Sequence, residues 1–291
     1  MTIQEAQLQL NQQLSGVYDA REASNIAQWV LEHLTGMPRT DRLIHRDQPL
    51  TATQEEWLRR HLEQLLKHRP VQYVLGEAWF AGLRFYVDEN VLIPRPETEE
   101  LVEWIVDDQR AGGNGAVSPQ ALSILDVGTG SGCIPIALKK KLPAATVYGC
   151  DVSEGALEVA KRNGQSLGAD VQWLRNNFLQ AAGWPSLPPI DVLVSNPPYI
   201  PVSDKSSMQA NVLQYEPHLA LFVENDDPLL FYRHIALFAQ EQMAAGGRIY
   251  VEIHEDLGPA TVQLFTQHGL TDIVLRQDLQ GKDRMVHARK A

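Results

Sequence analysis

Cysteine is nearly absent: only Cys133 and Cys150 occur in 291 residues, each in an apolar setting. A disulfide scaffold and a cysteine-only metal site are therefore implausible, and no metal centre is expected. Long hydrophobic runs are missing too. No stretch approaches the ~20 apolar residues that span a bilayer, and the opening Met1 to Leu8 lacks the basic and then apolar regions of a secretory signal. The cytoplasm is the expected compartment, with no membrane partner. Positive charge is in deficit, with 25 Lys and Arg against 36 Asp and Glu and a net charge of -11. The chain as a whole has no attraction for a nucleic-acid backbone, and no direct nucleic-acid partner is expected. Against these absences stands 44% hydrophobic and 21% charged content, which suits a soluble globular chain with a sizeable core. The length suits a main domain with a smaller companion.

Residues 1–70 carry helical spacing. Between Asp19 and Leu34, the residues Ala23, Ile26, Ala27, Val30, Leu31 and Leu34 recur every three or four positions as one apolar stripe, which Gly36 and Pro38 end. A later helix is expected to start at Thr53, with Glu56 completing a capping box and Trp57, Leu58, Leu62, Leu65 and Leu66 turned inward. Strand-like segments from Gln72 to Leu75 and from Leu83 to Val87 flank Gly76 to Gly82 and predict a β-hairpin linker over 71–95. Seven basic and five acidic side chains lie between Arg39 and Arg69. This is the one local face suited to an anionic partner, and it reads as an ordinary solvated helix surface.

From Pro96 the pattern changes. Pro96 suits a first helical position, and Leu101, Val102, Ile105 and Val106 form a stripe that ends in the loop Ala111 to Gly115. Apolar runs follow at Leu122 to Val127, Ala145 to Cys150, Val171 to Leu174, Asp191 to Ser195 and Arg248 to Ile253. Helical stretches such as Ile134 to Lys141 and Glu154 to Leu167 lie between them. The alternation predicts an α/β fold over 96–291, a doubly wound, Rossmann-like sheet covered on both faces. Thr271 to Arg276 and Met285 to Arg289 are spaced as an antiparallel pair.

Asp126-Val127-Gly128-Thr129-Gly130-Ser131-Gly132 joins the first of these strands to a helix. The glycines allow a tight turn and close backbone approach to a ligand at the carboxyl edge of the sheet. Their spacing is GxGxG, whereas the dinucleotide fingerprint needs GxGxxG, and position 133 is Cys. A carboxylate at Asp126 would repel a pyrophosphate and suit a cofactor with an ammonium, a sulfonium and no phosphate, the charge pattern of S-adenosyl-L-methionine. Asp151, directly after the next strand, is placed to accept hydrogen bonds from a ribose diol, a role that a dinucleotide and S-adenosyl-L-methionine would both use.

Val192 to Ser195 runs straight into Asn196-Pro197-Pro198-Tyr199, which the fold brings to the same edge. Two prolines stiffen the corner and lack N–H groups. The Asn196 side-chain oxygen and the Pro197 carbonyl would then present two acceptors to one planar NH2 group, with Tyr199 lying against it. As a methyl group is transferred, an amide nitrogen becomes positive and its hydrogens more acidic, so fixed acceptors favour the transition state.

These motifs carry a resemblance. Arg69 to Glu77, Val91-Leu92-Ile93-Pro94-Arg95-Pro96-Glu97-Thr98-Glu99, the glycine loop, the Asn196 to Tyr199 corner, Tyr215-Glu216-Pro217 and Phe231-Tyr232-Arg233 follow in an order that resembles the PrmC/HemK group. The resemblance covers about His68 to Arg289. That group comprises S-adenosylmethionine-dependent methyltransferases that modify the glutamine of the Gly-Gly-Gln motif in peptide-chain release factors. It implies that Gly128, Thr129, Gly130, Ser131 and Gly132 hold the methionine part of the cofactor, that Asp151 holds the ribose, and that Asn196, Pro197, Pro198 and Tyr199 hold the glutamine. It also implies that residues 1–70 help dock the release factor and that 96–291 form the methyltransferase domain. This chain has Asn176 where the group usually has an acid that accepts from the adenine amino group, and Asn177 where a larger apolar neighbour of adenine is common. His254 and Glu255 follow Glu252 where a glycine is frequent; His254 reads as a hydrogen-bonded bystander. Methylation of adenine in nucleic acid is the enzyme alternative, since the Asn-Pro-Pro-Tyr corner also serves amine methyltransferases acting on DNA adenine. Such an enzyme needs a basic channel to grip phosphates. A non-catalytic adaptor with a degenerate cofactor cleft is the other.

Overall fold

Side-chain caps set the helix starts of the first unit. In the computed structural model, which describes residues 1–111, 122–208, 210–223 and 227–291, Thr2 and Glu5 form a capping box on α1 (Ile3–Leu14). Asp19 accepts from two backbone N–H groups at the head of α2 (Ala20–Thr35), which Gly36 closes in the left-handed conformation. After α3 (Arg39–Ile44) comes α4 (Ala52–Leu65), whose capping box is Thr51 with Gln54. That is two residues ahead of the expected Thr53 and Glu56 pair. Gln54 decides the choice, because its Nε2 also donates to the Leu34 carbonyl at the end of α2, at 3.0 Å.

Residues 72–75, expected as a strand, are instead the single-turn helix α5 (Val71–Leu75), begun after Pro70 and ended by Gly76 at φ 66°. Val71, Val74 and Leu75 fall on one helical side and join the core made by α1, α2 and α4. Burial of that side outweighs the strand preference of the β-branched residues. The helical unit consequently runs from Met1 to Glu77 and takes in α9 (Ala210–Tyr215) from much later in the chain. The Tyr215 hydroxyl donates to the Lys67 carbonyl at 2.8 Å.

The second unit begins with an antiparallel hairpin, β1 (Ala78–Phe80) and β2 (Leu83–Phe85), so the hairpin is shorter and later than the sequence suggests. Helix α6 (Pro96–Ala111) follows; the expected loop at residues 112–115 lies outside the described residues. Then β3 (Ser123–Val127), α7 (Cys133–Lys141), β4 (Thr146–Asp151), α8 (Glu154–Leu167), β5 (Val171–Arg175) and β6 (Val192–Ser195) alternate. A small parallel pair, β7 (Ile200–Pro201) and β8 (Phe222–Val223), precedes α10 (Leu230–Gln242), β9 (Arg248–Glu252), α11 (Gly258–Gln267), β10 (Leu270–Gln277) and β11 (Asp283–Lys290).

One seven-stranded sheet has the order β10-β11-β9-β6-β3-β4-β5. Its strands are parallel except β11, which runs antiparallel to both β9 and β10. Side chains alternate between the two layers as strand geometry requires. Ile124, Val192, Val194 and Tyr250 join one core with α6 and α7, whereas Leu125, Val127, Leu193, Ile249 and Val251 join the other with α10 and α11. Strand order reverses at β3, which has β4 on one side and β6 on the other. The carboxyl ends of these strands therefore open a crevice, the position at which doubly wound sheets bind ligands.

Candidate active site

A cavity of about 310 Å³ occupies that crevice. Four strand ends deliver its polar groups: Gly128 and Gly130 after β3, Asp151 at the end of β4, Asn176 after β5 and Asn196 after β6. Asn177 and Pro198 also line it. The rest is largely apolar, with Leu92, Phe178, Leu179, Pro217, Leu219 and Phe231 among the walls. Of the residues singled out by sequence, Thr129, Ser131, Gly132, Pro197 and Tyr199 do not line this cavity. Thr129, Ser131 and Gly132 belong to the loop beside it, and Pro197 and Tyr199 flank the lining residue Pro198 in the corner after β6.

The glycine loop is held from several directions. Gly128 and Thr129 both donate their N–H to the Cys150 carbonyl, at 2.9 and 3.0 Å, and Gly130 donates to Asp151 Oδ2 at 2.9 Å. Gly128 and Gly130 have φ of 75° and 51°, and an added Cβ at either would meet nothing within 4 Å. Backbone conformation, not lack of space, is what demands glycine there. At the base of the loop the reason is steric. A Cβ at Gly132 or Gly149 would sit 2.8 or 2.7 Å from the Trp173 ring, so the indole of β5 fills the space those glycines leave. Asn163, buried in α8, donates to the Ser131 carbonyl at 2.9 Å, which fixes the last turn of the loop.

Asp126 does not face the cavity as expected. It is 0% exposed beneath the loop, where its Oδ2 accepts the Thr129 hydroxyl at 2.6 Å and its Oδ1 has no partner. Burial pushes its carboxyl up to about 7, against the opposing Thr129 bond. Burial also raises Asp151, whose Oδ1 accepts the Ser153 N–H at 2.9 Å. Each Asp151 oxygen thus holds one backbone N–H and keeps a lone pair for a ligand in the cavity.

Asn176 donates through Nδ2 to the Gly183 carbonyl at 3.1 Å. A carbonyl only accepts, so the NH2 end of this amide must face it and Oδ1 takes the other side. That Oδ1 is buried with no partner, an acceptor left open for a donor such as an adenine amino group. Asn177 caps a local turn, its Oδ1 accepting the Leu179 N–H at 3.2 Å, and so folds Phe178 and Leu179 toward the cavity wall. These acceptors fit an adenosine-bearing cofactor.

On the opposite wall, Asn196 Nδ2 donates to Thr98 Oγ1 at 3.1 Å, and the Thr98 hydroxyl donates to Glu252 Oε2 at 2.6 Å. Tyr199 donates its hydroxyl to Glu252 Oε1 at 3.1 Å. Behind the corner, Glu216 is 4% exposed and accepts from the Ile93 N–H at 3.2 Å and from Arg95 Nη2 at 2.6 Å. It fastens the segment before α6 to the segment carrying Pro217 and Leu219. Thr98, Glu216 and Glu252 were not singled out by sequence. The available signals were an acid ending the apolar strand β9 and two polar residues inside the quoted motif blocks. His254 is peripheral: its Nδ1 accepts the Asp256 N–H at 3.3 Å, and its ring meets Tyr199 edge-on at 6.0 Å. In the helical unit, Arg59 and Arg60 are bound to Glu56, Arg59 also to Glu63, and Arg42 is buried. Three of the seven basic side chains of that segment are thereby paired or buried.

Known proteins match the chain over nearly its whole length. Residues 4–76 match the model of the PrmC N-terminal domain, and residues 116–215 match that of the methyltransferase small domain. A release factor glutamine methyltransferase of Flavobacterium psychrophilum is 42% identical over 98% of each chain. Its counterpart in Bacteroides thetaiotaomicron is 38% identical over 97% of this chain and 98% of the other. Among solved structures, the hMettl16 catalytic domain in complex with the MAT2A 3′UTR hairpin 6 aligns at a TM-score of 0.53 and 16% identity. It covers 72% of this chain and 76% of that one, a likeness of fold alone. Among the described residues, no helix is long and apolar enough to cross a membrane.

Proposed function

The chain belongs to the family of release factor glutamine methyltransferases, and from that membership we propose how its cavity works. The protein is an S-adenosylmethionine-dependent protein methyltransferase that acts on the glutamine of a release factor. The atom methylated is the side-chain amide nitrogen of the glutamine in the Gly-Gly-Gln motif. One observation carries the assignment: Asp151, Asn176 and Asn196 line a single, largely apolar cavity from the ends of β4, β5 and β6.

Gly128 and Gly130 offer open backbone to the methionine part of the cofactor, and Thr129, Ser131 and Gly132 hold that loop in shape. Asp151 accepts from the ribose hydroxyls and Asn176 Oδ1 from the adenine amino group, while Asn177 keeps Phe178 and Leu179 against the base. When bound, S-adenosylmethionine supplies a methyl group on a sulfonium, open to in-line displacement. Asn196 Oδ1 and the Pro197 carbonyl accept the two N–H groups of the substrate amide and fix its nitrogen toward that methyl. An amide nitrogen is a poor nucleophile because its lone pair is shared with the carbonyl. As the new N–C bond forms, the nitrogen turns positive and its hydrogens more acidic, so both acceptors bind more tightly in the transition state than in the ground state. Pro198 closes the corner over the amide, and Tyr199 anchors it through Glu252. No base need act before transfer, because the methylated, protonated amide is itself a strong acid. The helical unit docks the release factor, and a translation factor as substrate sets the reaction in the cytoplasm.

The test is incubation with methyl-labelled S-adenosylmethionine, a release factor and DNA together, followed by mass spectrometry. One added methyl on the Gly-Gly-Gln glutamine is expected. Label in the DNA with none in the release factor would refute the assignment.

A further inference from the structure

Glu252 ends β9 at 1% exposure, and both its oxygens are occupied by hydroxyl donors, Thr98 and Tyr199. An ionised carboxylate can only accept, so the single proton of the Thr98 hydroxyl is committed to it. The Thr98 oxygen is then an acceptor, and the group facing it at 3.1 Å is Asn196 Nδ2. Each bond in the series dictates the direction of the next. The Asn196 amide is planar, so fixing its NH2 on Thr98 puts Oδ1 on the other side, in the cavity that Asn196 lines.

We propose that Thr98 and Glu252 are positioning residues that fix which end of the Asn196 amide meets the substrate, making Asn196 an acceptor there rather than a donor. The proposal rests on the reading of Asn196 as one of the two acceptors for the glutamine amide. Protonating Glu252 removes the constraint. A neutral carboxyl can donate to Thr98, whose hydroxyl is then free to donate to Asn196. The amide can turn over to accept that proton, and it presents NH2 to a substrate that itself offers NH2.

The surroundings make this loss of direction reachable near neutral pH. Burial pushes the Glu252 carboxyl up to about 7, opposed by its bonds from Thr98 and Tyr199 and by the charge of Arg284, and reinforced by Glu97. The groups facing it are Thr98 and Glu97 on α6, Tyr199 after β6, and Tyr232 on α10, which donates to the Glu252 backbone carbonyl at 3.1 Å. Arg284 on β11 completes the set; it is itself tied to Asp278 at 3.1 Å and to Glu255 at 3.7 Å.

Steady-state kinetics on the full chain with a release factor should show kcat falling as pH drops through the region of pH 7. Glu252→Gln keeps the shape but offers one acceptor where two are needed. Its kcat should fall at least ~10-fold with the acidic limb gone, while KM for the release factor and the affinity for S-adenosylmethionine change less than about twofold. Thr98→Val should behave likewise, and Thr98→Ser, which keeps the hydroxyl, should recover most of the turnover lost in Thr98→Val. This pair also serves if Glu252→Gln fails to fold. A second readout needs no turnover: in 15N-labelled protein, the Asn196 side-chain NH2 signal should titrate with Glu252 and stop doing so in the glutamine variant. A kcat profile and an Asn196 signal that both ignore Glu252→Gln overturn the proposal, as does equal turnover in Thr98→Val and Thr98→Ser. Wild-type protein that shows the titrating Asn196 signal yet leaves the release factor unmethylated supports the positioning role and refutes the substrate assignment instead.

Discussion

Replacing Asp126 by Asn should change how stability depends on pH, and the size of the effect follows from where the carboxyl sits. In the folded chain Asp126 is fully buried and its carboxyl is pushed from 3.8 up to about 7. Between those values the unfolded chain has released its proton while the folded chain still holds it. The folded state therefore binds more protons, and stability falls as pH rises across the window. Above the upper value both states are ionised and the slope ends. One pH unit of difference corresponds to ~1.4 kcal/mol, so the full window amounts to about 4 kcal/mol. The part lying between about pH 5.5 and about pH 8 amounts to about 2 kcal/mol. In Asp126→Asn the side chain does not titrate. Its amide can still accept from Thr129, and its NH2 replaces the oxygen that lacks a partner, at a cost of ~1–3 kcal/mol that is the same at every pH. Glu252 titrates in the same window but is present in both proteins, so its contribution cancels in the comparison. Hydrogen exchange of the β3 amides, measured without cofactor at both pH values, reports the unit that carries Asp126. Relative to wild type, Asp126→Asn should gain about 2 kcal/mol on going from the lower to the higher pH. A difference between the two proteins that is the same at both pH values would refute the reasoning.

Asn196→Ala should lower turnover by at least ~100-fold, with cofactor affinity nearly unchanged in calorimetry, because it removes one preorganised partner of the transition state; near-normal turnover would count against the acceptor pair. Gly149→Ala puts a Cβ 2.7 Å from the Trp173 ring and 2.8 Å from Thr129 Oγ1, and should destabilise the chain by ~1–3 kcal/mol through overpacking. A thermal midpoint equal to that of wild type would contradict this. Asn176→Asp, which restores the acid common in the family, loses the donor that Gly183 accepts and sets a carboxylate against that carbonyl. Calorimetry should show cofactor binding weakened by about tenfold, equivalent to ~1.4 kcal/mol, and tighter binding would overturn the account of this position.

Much of the layout was legible because it is local. A strand running into a glycine loop, or into Asn-Pro-Pro-Tyr, fixes its own direction, and the doubly wound pattern then brings both to one edge. Period-two alternation also bore on Asp126: with Leu125 and Val127 in one core and Ile124 in the other, the acid falls on the side of Ile124, beneath the loop. The neighbouring glycines suggest that Asp126 faces a ligand, whereas the strand period buries it. Val71 to Leu75 was ambiguous for a different reason. Five residues rich in β-branched and aromatic side chains satisfy either a strand or one helical turn, and only the apolar surface of α1, α2 and α4 selects the turn. Thr98 and Glu252 lie 154 residues apart in sequence, so no local pattern could pair them.

A common device orients the side-chain acceptors of the cavity. A side-chain amide has a donor end and an acceptor end, and a free one can present either. Asn176 has its donor end tied to a backbone carbonyl, and Asn196 to a hydroxyl whose own proton is already given to Glu252. Asp151 needs no such choice, and backbone N–H groups from Gly130 and Ser153 suffice to aim it. The Gly183 carbonyl also explains why Asn is accommodated at position 176. An acid there would gain charge toward an amino group but would have no proton for the carbonyl behind it. The identity of the residue in the cavity is thus set as much by the group behind it as by the ligand in front, which is the physical reason a departure from the family pattern at this position is compatible with the same chemistry.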